Sequence, residues 1–111
     1  MPNNTDYLDI ESALKRVGGN ETLYKKLLKL FLADNNVEDL CNAIETGSCE
    51  DIARFAHTIK GVGANLSFTK MRTIAADIEV QAKEGNDCKE YLPELRESFE
   101  KTLELINEYM G

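Results

Sequence analysis

The chain holds a single histidine and three cysteines, and no apolar run long enough to cross a bilayer. One histidine cannot build a His/Cys zinc site, so no metal centre is expected. Cys41, Cys49 and Cys88 are odd in number, scattered, and form no Cys-x-x-Cys pair. They are therefore expected to be reduced structural thiols of a cytoplasmic protein. Base is scarce as well: 20 acidic residues face 13 basic ones, for a formal charge of −7. A phosphate backbone or an anionic membrane selects for stripes of Lys and Arg, which argues against nucleic acid and membrane as main partners. The opening segment Met1-Pro2-Asn3-Asn4-Thr5-Asp6 is polar and has no signal-peptide character. Alternating strand patterns, internal repeats and low-complexity linkers are also missing.

What is present is helical periodicity on a chain of 111 residues, 42% of them apolar. That composition suits one domain, residues 1–111, with a modest core. A short first helix is expected from an N-cap at Thr5 or Asp6, with Ile10, Ala13, Leu14 and Val17 on one face and Gly18-Gly19 as its stop. Asn20 caps a second helix carrying Leu23, Leu27, Leu30, Phe31, Val37, Leu40, Cys41 and Ile44. From Glu21 to Thr46 it would run about 39 Å, with any bend falling at Asp34-Asn35-Asn36.

Gly47 breaks that helix, and Ser48 with Asp51 resembles a capping box for a third, spanning Cys49 to Asn65. A fourth begins at Ser67 or Phe68 and ends near Gly85, with Phe68, Met71, Ile74, Ala75, Ile78 and Ala82 as its stripe. A fifth carries Leu92, Leu95, Phe99, Leu103, Ile106 and Met110, with Pro93 near its start where a missing N–H costs little. The expected fold is all-α: an antiparallel up-down four-helix bundle with a short additional N-terminal helix.

The histidine stands out once the third helix is laid out at about 100° per residue. Ile52, Phe55, Ala56, Ile59, Val62, Gly63 and Leu66 gather in one arc, and His57 falls about 160° from its centre. It therefore points to solvent. Ala53, Ala64, Gly61, Lys60 and Arg54 share that side. Glycine inside a helix costs roughly 1 kcal/mol relative to alanine. Close approach of a neighbouring helix accounts for Gly63 on the core side. Packing gives no reason for Gly61, one turn beyond His57, whereas clearance for a bulky group such as phosphoryl does. Ala53 and Ala64 widen that clearing. Lys60 at i+3 and Arg54 at i−3 add positive charge in an acidic chain. Nearby cations favour the neutral, nucleophilic form of an imidazole and stabilise an anion built onto it. Lys60 is the better placed to touch that anion.

A lone surface histidine is ordinarily just a polar surface residue; the small and basic neighbours set this one apart. Gly61-Val62-Gly63-Ala64-Asn65-Leu66 begins like a dinucleotide fingerprint, but it lacks the third glycine and no strand precedes it. That reading is rejected.

Ala56-His57-Thr58-Ile59-Lys60-Gly61, followed by small residues and Asn65-Leu66, resembles the signature of histidine-containing phosphotransfer (HPt) domains, roughly Ala-His-x-Leu-Lys-Gly-Ser-Ala-x-x-Leu-Gly. The resemblance covers nearly the whole chain, including an apolar stretch Lys29-Leu30-Phe31-Leu32 on a long helix and a Gly47-Ser48 break before the histidine helix. It implies a phosphorelay carrier that takes a phosphoryl group from the aspartyl phosphate of a receiver domain and passes it to another. By that resemblance His57 is the phospho-acceptor, Lys60 stabilises the phosphoryl group and Gly61 gives clearance. Ala53, Arg54 and Ala64 would help to dock the partner. Response-regulator receiver domains, a hybrid histidine kinase, or both are the implied partners of a monomer. No cofactor of its own and no autonomous kinase activity are implied, the divalent metal belonging to the receiver.

Three positions depart from the signature. Val62 replaces the usual Ser or Ala but falls on the core arc. Ser67 stands where glycine is common, altering how the fourth helix is capped. Glu79 occupies the place of a glutamine that hydrogen-bonds the histidine in some members. Ionised, it would orient the ring through its other nitrogen and would repel a phosphate placed too close. Two alternatives stay open: a four-helix interaction module without chemistry, and the phospho-accepting domain of a chemotaxis-type kinase. The ends at Asn3 and Gly111 fit a free-standing protein and a segment of a longer one equally well.

Overall fold

The computed structural model describes residues 4–111; Met1, Pro2 and Asn3 of the expected domain lie outside them. Among the described residues there are six α-helices: α1 (Ile10–Arg16), α2 (Glu21–Ala33), α3 (Asn36–Thr46), α4 (Cys49–Leu66), α5 (Thr69–Lys83) and α6 (Leu92–Met110). Short 3₁₀ turns precede α1 at Asn4–Asp6 and α6 at Lys89–Tyr91. The fold is an all-helical bundle, with α2 and α3 together making the arm expected as one long helix.

That long helix is two. Asp34 leaves α2 in an extended conformation (φ −91°, ψ 149°). Its carboxylate then accepts from the Asn36 backbone N–H at 3.1 Å and from Asn36 Nδ2 at 2.8 Å. A short acidic side chain that bonds the local backbone competes with helical continuation, and here it wins. The stripe on α2 also differs from the expected one. Tyr24, Leu28 and Phe31 are buried, whereas Leu23 and Leu30 are exposed and Leu27 is half-buried. Tyr24 takes the core position because its hydroxyl finds the Leu66 carbonyl at 3.0 Å.

The N-terminus needs correction as well. Neither Thr5 nor Asp6 caps α1; Asp9 does, its Oδ1 accepting from Ser12 N at 3.1 Å. Gly18 and Gly19 then end the segment with positive φ, as expected, and Asn20 caps α2 through Leu23 N at 3.0 Å. Ser48 sits at the N-cap of α4 and bonds Asp51, but its side chain makes no capping hydrogen bond, so the expected capping box lacks that half. Ser67 does not open α5. It closes α4 in the left-handed conformation (φ 62°), which is why glycine suits this position. Its hydroxyl accepts from Arg16 Nη1 at 2.5 Å and its carbonyl from Asp9 N at 3.0 Å, which ties α1 to the turn.

Because only Ser67 and Phe68 separate α4 from α5, the two pack as an antiparallel hairpin, the most extensive helix pair in the molecule. Gly63 meets the backbone of Arg72, and His57 and Lys60 meet Glu79, in one antiparallel register. A Cβ on Gly63 would stand 3.0 Å from Arg72 Cβ and 3.2 Å from its Cα, the close approach expected of that glycine. Ile52, Ala56, Ile59 and Leu66 face the core beside it, against Met71, Ile74, Ala75 and Ile78 of α5. The Phe31 ring packs tilted against Phe68, with centres 4.7 Å apart, so α2 closes over the hairpin. No helix among the described residues is long and apolar enough to cross a membrane.

Candidate functional site

His57 stands on the outer face of α4 with 69% of its side chain exposed, while Ala56 beside it is fully buried. One face of the imidazole region is therefore fixed by the core and the other is free. Beneath the ring lies Glu79 of α5, 4% exposed, its Oε2 2.9 Å from His57 Nδ1. The other oxygen, Oε1, is 2.6 Å from Lys60 Nζ. Lys83, one turn along α5, places Nζ 3.3 Å from Oε2.

A nearly buried carboxylate is costly to ionise unless it is paired. Here the Lys60 hydrogen bond outweighs the burial, and those of Lys83 and His57 add to it, lowering the Glu79 pKa to about 2. At neutral pH Glu79 is thus ionised and can only accept hydrogen bonds. His57 Nδ1 must then be the donor, and in a neutral imidazole the lone pair resides on Nε2. The site is an imidazole on an exposed face with its tautomer set from below.

Gly61 is exposed, and a Cβ built on it would meet nothing within 4 Å. Lys60 does not point freely outward as the helical arithmetic suggested. Its stem crosses to α5 and its ammonium is committed to Glu79. The Arg54 guanidinium is committed as well: it pairs with Asp51 at 2.9 Å and lies 4.6 Å from the centre of the Phe55 ring. That bond is the leading cause of the lowered Asp51 pKa. Ala53, Arg54, Thr58, Glu79 and Lys83 surround His57 in a shallow concavity. Ala64 is half-buried and lies outside it. Lys83 was not anticipated; the i, i+4 spacing from Glu79 was its one visible signal.

A family model for the Hpt domain matches residues 26–105. The chain belongs to the Hpt domain family. Hpt domains act in phosphotransfer signalling of two-component systems and interact with receiver and kinase domains. The matched span contains α3, α4 and α5 entire, and so His57, Lys60, Gly61, Glu79 and Lys83. No curated protein and no solved structure gave a match.

Proposed function

We propose that this Hpt domain is a phosphorelay intermediate: His57 takes a phosphoryl group from the aspartyl phosphate of one receiver domain and gives it to the aspartate of another. The observation that carries the reading is the Glu79–His57 pair, which leaves the Nε2 lone pair facing solvent on an uncrowded helix surface. In the forward step a bond forms from Nε2 to phosphorus while the bond from phosphorus to the receiver's carboxylate oxygen breaks, its electrons leaving with the carboxylate. The ring gains positive charge as it attacks. The Nδ1–H bond to the Glu79 carboxylate strengthens at that moment, a charge-assisted bond of the kind worth about 1.5–3 kcal/mol. Lys60 meets the phosphoryl oxygens, and Gly61 leaves room for them.

The rest of the transition-state charge is neutralised by the receiver, which brings the divalent metal. In this reading the domain contributes a positioned nucleophile and acts as a phosphocarrier rather than a kinase. A cytoplasmic monomer fits this role. To test it, receiver domains charged with acetyl phosphate are mixed with the protein. The expected label is acid-labile, base-stable and absent from His57→Gln; a stable label in that variant overturns the assignment.

A further inference from the structure

Two demands on Lys60 compete. In the free protein its ammonium is the nearest cation to Glu79, at 2.6 Å from Oε1. During transfer it is to meet the phosphoryl group on the other side of the imidazole. If Lys60 turns away, a carboxylate with 6% of its side chain exposed is left beside an incoming anion. Uncompensated, such a group takes up a proton, and a protonated Glu79 no longer fixes which nitrogen of His57 carries hydrogen.

The charged groups in contact with Glu79 are His57 and Lys60 from α4 and Lys83 from its own helix. Lys83 approaches Oε2, the same oxygen that faces His57 Nδ1. Because it springs from α5, the helix that carries Glu79, its hold does not depend on α4. It also lines the concavity around the imidazole. An exposed i, i+4 Glu–Lys pair contributes only a few tenths of a kcal/mol. This pair differs because its carboxylate is buried and shared with the reactive ring.

We propose that Lys83 is a positioning residue for phosphotransfer, anchoring the Glu79 carboxylate against His57 Nδ1 while Lys60 turns to the phosphoryl group. It neither gives nor takes a proton and does not touch the reacting atoms. The proposal rests on the phosphotransfer reading above, and it divides the work between two lysines: Lys60 serves the phosphoryl group, Lys83 serves Glu79.

The test compares Lys83→Gln and Lys83→Arg with the parent, each also in a Glu79→Gln background. Transfer from receiver domains charged with acetyl phosphate is followed in single turnover. The imidazole ¹⁵N shifts of unphosphorylated protein carrying Lys60→Ala, in which Lys83 is the lysine left against Glu79 as it is when Lys60 turns away, report the tautomer. Lys83→Gln is expected to slow transfer three- to tenfold and to reduce the Nδ1–H signature, with Lys83→Arg restoring both. In the Glu79→Gln background, losing Lys83 should add nothing. Parent-like rates and ¹⁵N shifts in Lys83→Gln overturn the proposal. An equal slowing without Glu79 also overturns it, since Lys83 would then act on the phosphoryl group or the partner directly. The ¹⁵N comparison needs no receiver. If no receiver phosphorylates even the parent, the relay reading falls while the tautomer shifts still decide whether Lys83 anchors Glu79.

Discussion

Glu79 reaches from α5 to set Oε2 2.9 Å from Nδ1 of His57 on α4, so a buried carboxylate and an exposed imidazole form one unit across the helix hairpin. The register that makes this contact is held further along α4, where Gly63 lets Arg72 of α5 come close. Packing and chemistry are coupled through that register.

The two glycines of α4 should therefore respond in opposite ways. At Gly63 an added Cβ meets backbone and Cβ atoms of Arg72 at 3.0–3.3 Å. Gly63→Ala should cost about 1–3 kcal/mol by overpacking, in excess of the helix-propensity gain. At Gly61 the added Cβ meets open space. Gly61→Ala should raise stability by about 0.5–1 kcal/mol. A bulky Gly61→Phe should keep the fold and lower transfer more than tenfold. Urea unfolding and single-turnover transfer separate the two effects; a Gly61→Phe variant with parent-like transfer removes clearance from the account.

Lys60→Ala should retain the fold at a cost in stability, since it takes the closest cation from the buried Glu79 carboxylate and leaves Lys83 in place. It should slow transfer roughly tenfold, about 1.4 kcal/mol in the barrier, and shorten the phosphohistidine lifetime. Unchanged transfer and decay rates would take Lys60 out of the mechanism.

Acid should weaken this bundle through Glu79. Its carboxyl is lowered from 4.5 to about 2 in the folded protein, chiefly by the Lys60 hydrogen bond. A depressed folded pKa stabilises the native state fully above the unfolded value, and that contribution is lost as pH falls toward the folded one. The stability it adds is thus present at pH 6 and declines between about pH 4.5 and 2. Chemical denaturation of the parent and of Glu79→Gln across that range should show a shallower decline in the variant. Parallel declines would mean that the ion pairs do not hold the carboxylate as described.

Much of this was legible in the chain. Rotation by about 100° per residue put Ile52, Ala56, Ile59 and Leu66 on the core and His57 opposite them, and the structure agrees. Gly63 followed from the same arithmetic. Elsewhere the arithmetic was ambiguous. Leu23-Leu27-Leu30 and Tyr24-Leu28-Phe31 satisfy the helical period equally, one residue apart, and a hydroxyl bond to the Leu66 carbonyl decides for the second set. A helical wheel also gives an angle and not a reach. Lys60 was placed beside His57 correctly, but its long stem finds a carboxylate on another helix, and Arg54 finds Asp51. Lys83 could not be seen as part of the site until the α4–α5 register was known. The break falls where any bend was expected, at Asp34-Asn35-Asn36; that it is a full interruption arises from the side-chain bonds of Asp34 to Asn36, on which the hydrophobic pattern is silent.

The central claim is that Glu79 holds Nδ1 and frees Nε2 for phosphorus. It is tested most directly by phosphorylating ¹⁵N-labelled protein with charged receiver domains and reading the ring by ³¹P and long-range ¹H–¹⁵N NMR. The account predicts a single phosphoryl group on Nε2 of His57, with Nδ1 still carrying hydrogen against Glu79. Phosphorus on Nδ1, or on any residue other than His57, would contradict it.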